Sequence, residues 1–121
     1  MKAVFDTNIL IDYLNGIEAA KIELAQYSIR QISVISFIEV LVGAKNPAEE
    51  NAIRGFLGTF EILELSAEIA NQTIEIQKKY RLKIPDAIVY ATARTQGCIL
   101  VSRNSKELKR EWPDIRIPYP L

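Results

Sequence analysis

Short runs of apolar and β-branched residues alternate along this chain with longer stretches of helical period, and that alternation limits its fold more than any other feature. KAVFD (2–6) reads as a buried strand, and NILIDYLNG (8–16) as a short helix ending near Gly16. IEAAKIELAQY (17–27) predicts a second, amphipathic helix with Ile17, Ala20, Ile22, Leu24 and Tyr27 as its apolar residues. QISVI (31–35) is strand-like, and SFIEVLVGA predicts a helix from Ser36 to near Gly43. PAEENAIRGFLGTF (47–60) opens with the proline and acids of a helix N-terminus. EILEL (61–65) is a strand candidate, and SAEIANQTIEIQKKYR (66–81) a long amphipathic helix. IPDAIVYATARTQG (84–97) carries Pro85 and Gly97 as helix end marks, and CILVS (98–102) is a buried strand. SKELKREW (105–112) reads as a short polar helix and DIRI (114–117) as a last strand. Strands alternating with helices predict a three-layer α/β/α sandwich around a central parallel sheet. The absence of repeats, linkers and low-complexity segments predicts one domain over residues 1–121.

Composition narrows the chemistry. Apolar residues make up 49% of the chain, enough for a sizeable core. The single cysteine, Cys98, allows no internal disulfide and fits a reducing, cytoplasmic setting. No apolar run approaches membrane-spanning length, and the apolar part of the N-terminus is too short for a secretory signal, so no membrane association is expected. Lysine plus arginine equals aspartate plus glutamate at 15 each, so a nucleic-acid partner must be held by a local patch or a metal. Histidine is absent, which removes imidazole acid–base chemistry and histidine-ligated zinc. Any metal site must use oxygen ligands, as Mg²⁺ or Mn²⁺ prefer.

In an open parallel sheet, ligands bind beyond the carboxyl ends of the strands. Asp6 and Thr7 follow the first strand candidate, Glu39 lies one turn into the helix after the second, and Asp86 opens a helix behind Pro85. Ser102, Arg103 and Asn104 follow the fourth. Clustered carboxylates repel, and a divalent cation resolves the conflict while activating water against a phosphate. Each residue also has a structural reading. Asp6 suits a helix N-cap. Ser36 and Glu39 match a capping box, although the helix around Glu39 is apolar nearly all round. Asp86 suits a helix dipole, and Asn104 a turn. Thr7 and Ser102 are ordinary at strand-to-loop junctions. Lys78, Lys79, Arg81 and Lys83, with Arg103, offer positive charge to an RNA backbone, or a solvated helix end.

VFDTNILIDYL, ISVISFIEVLVG and IPDAIVYATARTQGCILVSRN, in this order and at these separations, resemble the PIN domain, and more narrowly the VapC toxins of toxin–antitoxin pairs. The resemblance covers essentially the whole chain. It implies a Mg²⁺- or Mn²⁺-dependent endoribonuclease, usually a homodimer, that leaves a 5′-phosphate and a 3′-hydroxyl and is blocked by a small VapB-like antitoxin. By position, Asp6, Glu39 and Asp86 match the family's three core acids and metal ligands. Asn104 stands at the fourth acidic position, which puts a second metal in doubt. Glu107 takes the place of a nearby acid, and Thr7 matches the hydroxyl residue after the first acid. Apolar surface on Ile9, Leu10, Ile11, Tyr13 and Leu14 beyond what the core needs would suit an antitoxin helix or a dimer face. Three alternatives stay open. A dehalogenase-like phosphatase needs an aspartate where Asn8 stands, and a response-regulator receiver needs a lysine that CILVSRN lacks. A degenerate PIN fold would act only as a binding module.

Overall fold

The computed structural model describes residues 1–120. Its elements run β1 (Lys2–Phe5), α1 (Thr7–Leu14), α2 (Glu18–Ala25), β2 (Ile29–Ser33), α3 (Val34–Val42), α4 (Pro47–Leu57), β3 (Glu61–Leu63), α5 (Ala67–Tyr80), α6 (Ile84–Thr95), β4 (Ile99–Val101) and β5 (Ile115–Arg116). The strands form one sheet in the order β3-β2-β1-β4-β5, and every pairing is parallel. This is the expected α/β/α sandwich.

Period-2 alternation in the central strand divides the core. Ala3 and Phe5 face a cluster that includes Ile9 and Leu10 of α1, Leu24 of α2, Val40 of α3 and Leu57 of α4. Val4 faces the opposite cluster, where Ile69 and Ile76 of α5 meet the nearly continuous apolar run Ala87–Ala91 of α6. Helix α6 is buried at every position from Ala87 to Ala93 and is held by its place against the sheet. Among the described residues, no helix is long and apolar enough to cross a membrane.

Several boundaries differ from expectation, each for a local reason. The second strand ends at Ser33, so Val34 and Ile35 belong to the helix. The N-cap is therefore Ser33, whose hydroxyl accepts the N–H of Ile35 at 3.0 Å, and the capping box that was the alternative reading of Ser36 and Glu39 does not form. Residues 105–112 form turns where a polar helix was expected; Leu108 and Trp112 tie the segment to the core while most of its polar residues face solvent. Ile22 lies on the outer side of α2 at 54% exposure, outside the predicted apolar face.

The order of the strands sets the site. The chain runs outward from β1 through β2 to β3, then returns to lay β4 on the other side of β1. The direction reverses between β1 and β4, where open α/β sheets leave a crevice at the carboxyl edge. Phe5 pairs with Val101, so the residues after each, Asp6 and Ser102, emerge side by side.

Candidate active site

Asp6 sits where β1 becomes α1 and caps that helix. Its backbone is extended (φ −73°, ψ 157°), and its Oδ1 accepts the N–H of Thr7 at 2.8 Å. Its Oδ2 accepts the hydroxyl of Ser102 at 2.8 Å. Only 6% of the residue is exposed. Burial pushes its carboxyl up from 3.8 to about 6; the charges of Asp86 and Glu39 add to the rise, and its two hydrogen bonds oppose it. Capping and a place in an acidic cluster are therefore both true of Asp6.

Thr7 reaches across to α3. Its hydroxyl donates to Glu39 Oε1 at 2.6 Å, with Ser36 Oγ 2.9 Å from the same hydroxyl. A carboxylate only accepts, so this contact takes the threonine's single proton. It fixes Glu39 on the side of α3 that faces α1.

Asp86 lies in the first turn of α6 and is partly exposed. Its carboxyl is also raised, first by burial, then by the charges of Glu107 and Glu39, with Lys83 pulling the other way. Asp6, Glu39, Asp86 and Glu107 thus act on one another electrostatically, and Lys83 is the cation among these influences. They do not touch: among the described residues, no three acid or thiol side chains are gathered tightly enough to enclose an ion.

Asn104 occupies a turn. Its N–H donates to Ser102 Oγ at 3.0 Å, and its Oδ1 accepts the N–H of Glu107 at 3.4 Å. The side-chain oxygen thus holds its own loop, as the turn reading of this residue describes.

Comparison with known proteins places the fold in a family. The family profile of the PIN domain matches residues 3–110. The chain belongs to the PIN-domain family. It is 40% identical to a chain of a toxin–antitoxin complex from Klebsiella pneumoniae, with a TM-score of 0.93 over 99% of this chain and 100% of that one. A DNA-bound VapBC from Salmonella typhimurium is 26% identical, with a TM-score of 0.78 over 97% of this chain and 96% of that one. A VapC described as a tRNA(fMet)-specific endonuclease, from Shigella flexneri, is 28% identical over 91% of this chain and 92% of its own length. Membership in this family sets aside the phosphatase and receiver alternatives.

Two residues of this PIN site stand apart from the sequence reading. Arg103 forks onto Asp12 of α1, with Nε 2.5 Å and Nη2 3.0 Å from the two carboxylate oxygens, and the hydroxyl of Tyr119 adds a third bond at 2.9 Å. Its guanidinium is thereby committed to the fold, whereas the sequence reading offered it to an RNA backbone. Asn8 was missed. Its Nδ2 donates to Ser102 Oγ at 3.2 Å, and its Oδ1 accepts the N–H of Arg103 at 3.2 Å. Asn8 therefore joins α1 to the loop after β4 and helps aim the hydroxyl that holds Asp6. An asparagine two residues after the acid, at a helix start, was the available signal.

Beside Glu39, a cavity of about 430 Å³ opens between α1, α3 and α4, lined by Ile11, Leu14, Val40, Ile53 and Lys45 among others. Ile11 and Leu14 are about 40% exposed there, while Ile9 and Leu10 are fully in the core, which apportions the apolar surface of α1 between the two uses.

Proposed function

We propose that this PIN protein is a Mg²⁺- or Mn²⁺-dependent endoribonuclease and the toxin of a VapBC-type pair. The observation that carries the reading is the group of carboxylates at the sheet's switch point, with Asp6 buried, Asp86 half-buried and Glu39 exposed, whose mutual repulsion no neighbouring cation offsets in full. The donor set is all oxygen and suits a hard divalent ion. Asp6, Glu39 and Asp86 would hold that ion, directly or through its waters. When bound, it supplies a nucleophile drawn from water and neutralises charge developing on a phosphate.

The chain's own residues prepare the site. Ser102 and the Thr7 amide fix both oxygens of Asp6, and the Thr7 hydroxyl fixes one oxygen of Glu39. Asp86 enters from the opposite layer on a rigid, buried helix. Glu107, with its influence on Asp86, is the further acid. Asn104 contributes at most a neutral oxygen, so the site is built around one ion. Products carry a 5′-phosphate and a 3′-hydroxyl. The groove beside Glu39 accepts an apolar antitoxin segment, and occupation there covers Glu39. The outer stripe of α3, with Ile38 at 50% and Val42 at 79% exposure, is the homodimer face.

Antitoxin-free protein incubated with initiator tRNA and with other defined RNAs in Mg²⁺ or Mn²⁺ tests the reading. Cleavage should require the metal and fall by at least about 10²-fold in Asp6→Asn, the scale seen when one electrostatic group of a catalytic site is removed. Equal cleavage by both proteins would reject the assignment. RNA binding without cleavage by either would favour the binding-module alternative.

A further inference from the structure

Helix α5 ends at Tyr80, and the next residue, Arg81, takes φ 61° and ψ 31°. It is the one non-glycine residue with positive φ among the described residues. The fold explains the backbone. The Arg81 N–H closes on Gln77 O at 2.9 Å, and the left-handed turn swings Leu82 into the core at 3% exposure before α6 begins. The fold does not explain the side chain. Glycine or asparagine takes this conformation with less strain and is the usual choice at a helix end. Arg81 is exposed, and its guanidinium meets no acceptor among the described residues. Arg54, Arg94, Arg103 and Arg116 differ, each being engaged by a carboxylate.

Its location gives the reason. Two residues on, Lys83 caps α6 with its backbone alone and leaves its exposed ammonium free of a capping bond. The Lys83 carbonyl accepts the N–H of Ala87 at 2.9 Å, which sets Lys83 one helical turn from Asp86. The turn is braced from behind, because the Tyr80 ring packs on Trp112 with centroids 4.2 Å apart. A strained, unpaired arginine thus stands two residues before an unpaired lysine that lies one helical turn from Asp86 and acts on its charge. Strain at an exposed residue that the fold does not require is a mark of function.

We propose that Arg81 and Lys83 grip a phosphate of the RNA strand as it enters the carboxylate site, with Arg81 the stronger contact because its guanidinium matches a phosphate with paired donors. The inference rests on the ribonuclease reading and adds the direction of the substrate.

The test is RNA affinity as a function of salt, by fluorescence anisotropy on a labelled tRNA in metal-free buffer, alongside thermal melting. Arg81→Asn and Arg81→Gly should weaken binding about 3- to 10-fold and flatten the slope of log affinity against log salt by about 0.7–1, one phosphate contact. Both variants should melt at or above the wild-type temperature, because the strain is gone. Lys83→Gln should flatten the slope likewise, Arg81→Lys should restore it, and Lys2→Gln, at the amino edge of the sheet, should leave it unchanged. A wild-type slope in both Arg81→Asn and Lys83→Gln overturns the proposal, as does a lowered melting temperature that accompanies the lost affinity. If wild-type protein cleaves RNA while these variants bind normally, the inference fails and the nuclease stands; if wild-type protein neither binds nor cleaves RNA, both fall.

Discussion

Asp6 and Asp12 lie on opposite sides of the first turn and a half of α1, are 6% and 4% exposed, and have opposite surroundings. Asp12 accepts a forked arginine and a tyrosine hydroxyl, so its charge is balanced where it lies. Asp6 accepts a serine hydroxyl and a backbone amide and has two further acids as electrostatic neighbours. Glu23 repeats the Asp12 pattern: Arg116 forks onto it at 2.6 and 2.9 Å, and Tyr27 donates at 2.9 Å. Burial of a carboxylate is thus used in two ways. With a cation beside it, the acid holds the C-terminal segment to α1 and α2; without one, it keeps a demand for positive charge that an incoming ion can meet.

Removing one member of a balanced cluster should have the largest effect on stability. Asp12→Ala leaves Arg103 and Tyr119 without their acceptor, and should lower unfolding free energy by about 2–4 kcal/mol in denaturant titration, less than the roughly 3–5 kcal/mol of a fully buried pair because Arg103 is one-third exposed. A loss under about 1 kcal/mol would erase the distinction between the two aspartates.

The unbalanced acid should behave in the opposite sense. The carboxyl of Asp6 has a higher pKa in the folded protein, about 6, than its ordinary 3.8. The folded state therefore holds its proton more tightly, and ionising Asp6 destabilises the fold as pH rises through that window. In metal-free buffer, Asp6→Asn should be more stable than wild type by about 1–3 kcal/mol at pH 8, with the gain gone near pH 4. Parallel stability curves from pH 4 to 8 would mean that Asp6 is not under electrostatic strain.

Glu23 runs the other way. Burial raises its carboxyl, but Arg116 and Tyr27 outweigh burial and leave it below the usual range. Its stabilisation is complete above the ordinary glutamate value of 4.5 and is lost as pH falls through its lowered folded value. Arg116→Met should therefore cost about 1 kcal/mol at pH 7, a modest figure because the arginine side chain is 44% exposed, and the difference from wild type should shrink in acid. A difference that persists below pH 3 would point to lost packing of the arginine stem instead.

The legible parts of the protein were those written locally. The apolar run before Asp6, the proline before Asp86 and the β-branched fourth strand each announce their element within a few residues, and the acids follow at element ends. The misread parts depended on distant partners. Ser36 looked like a cap because the end of β2 is set by its pairing with β3, where Ser33 lies opposite Leu63. Residues 105–112 have helical composition, yet Leu108 and Trp112 are drawn to the core of the α5–α6 layer and the segment turns instead. Asn8 looked incidental because its partners, Ser102 and the Arg103 amide, lie more than ninety positions away.

The sequence by itself determined the alternating fold and the presence of acids at the carboxyl edge, since periodicity and end signals act over a turn or a strand. Only the tertiary structure decided which acids would be neutralised. That choice followed from β4 lying beside β1, which carries Arg103 to Asp12 and brings Asp6 the Ser102 hydroxyl in place of a cation. A hydrogen bond or ion pair needs its partner within about 3 Å, and chain separation says nothing about that distance until the sheet order is known.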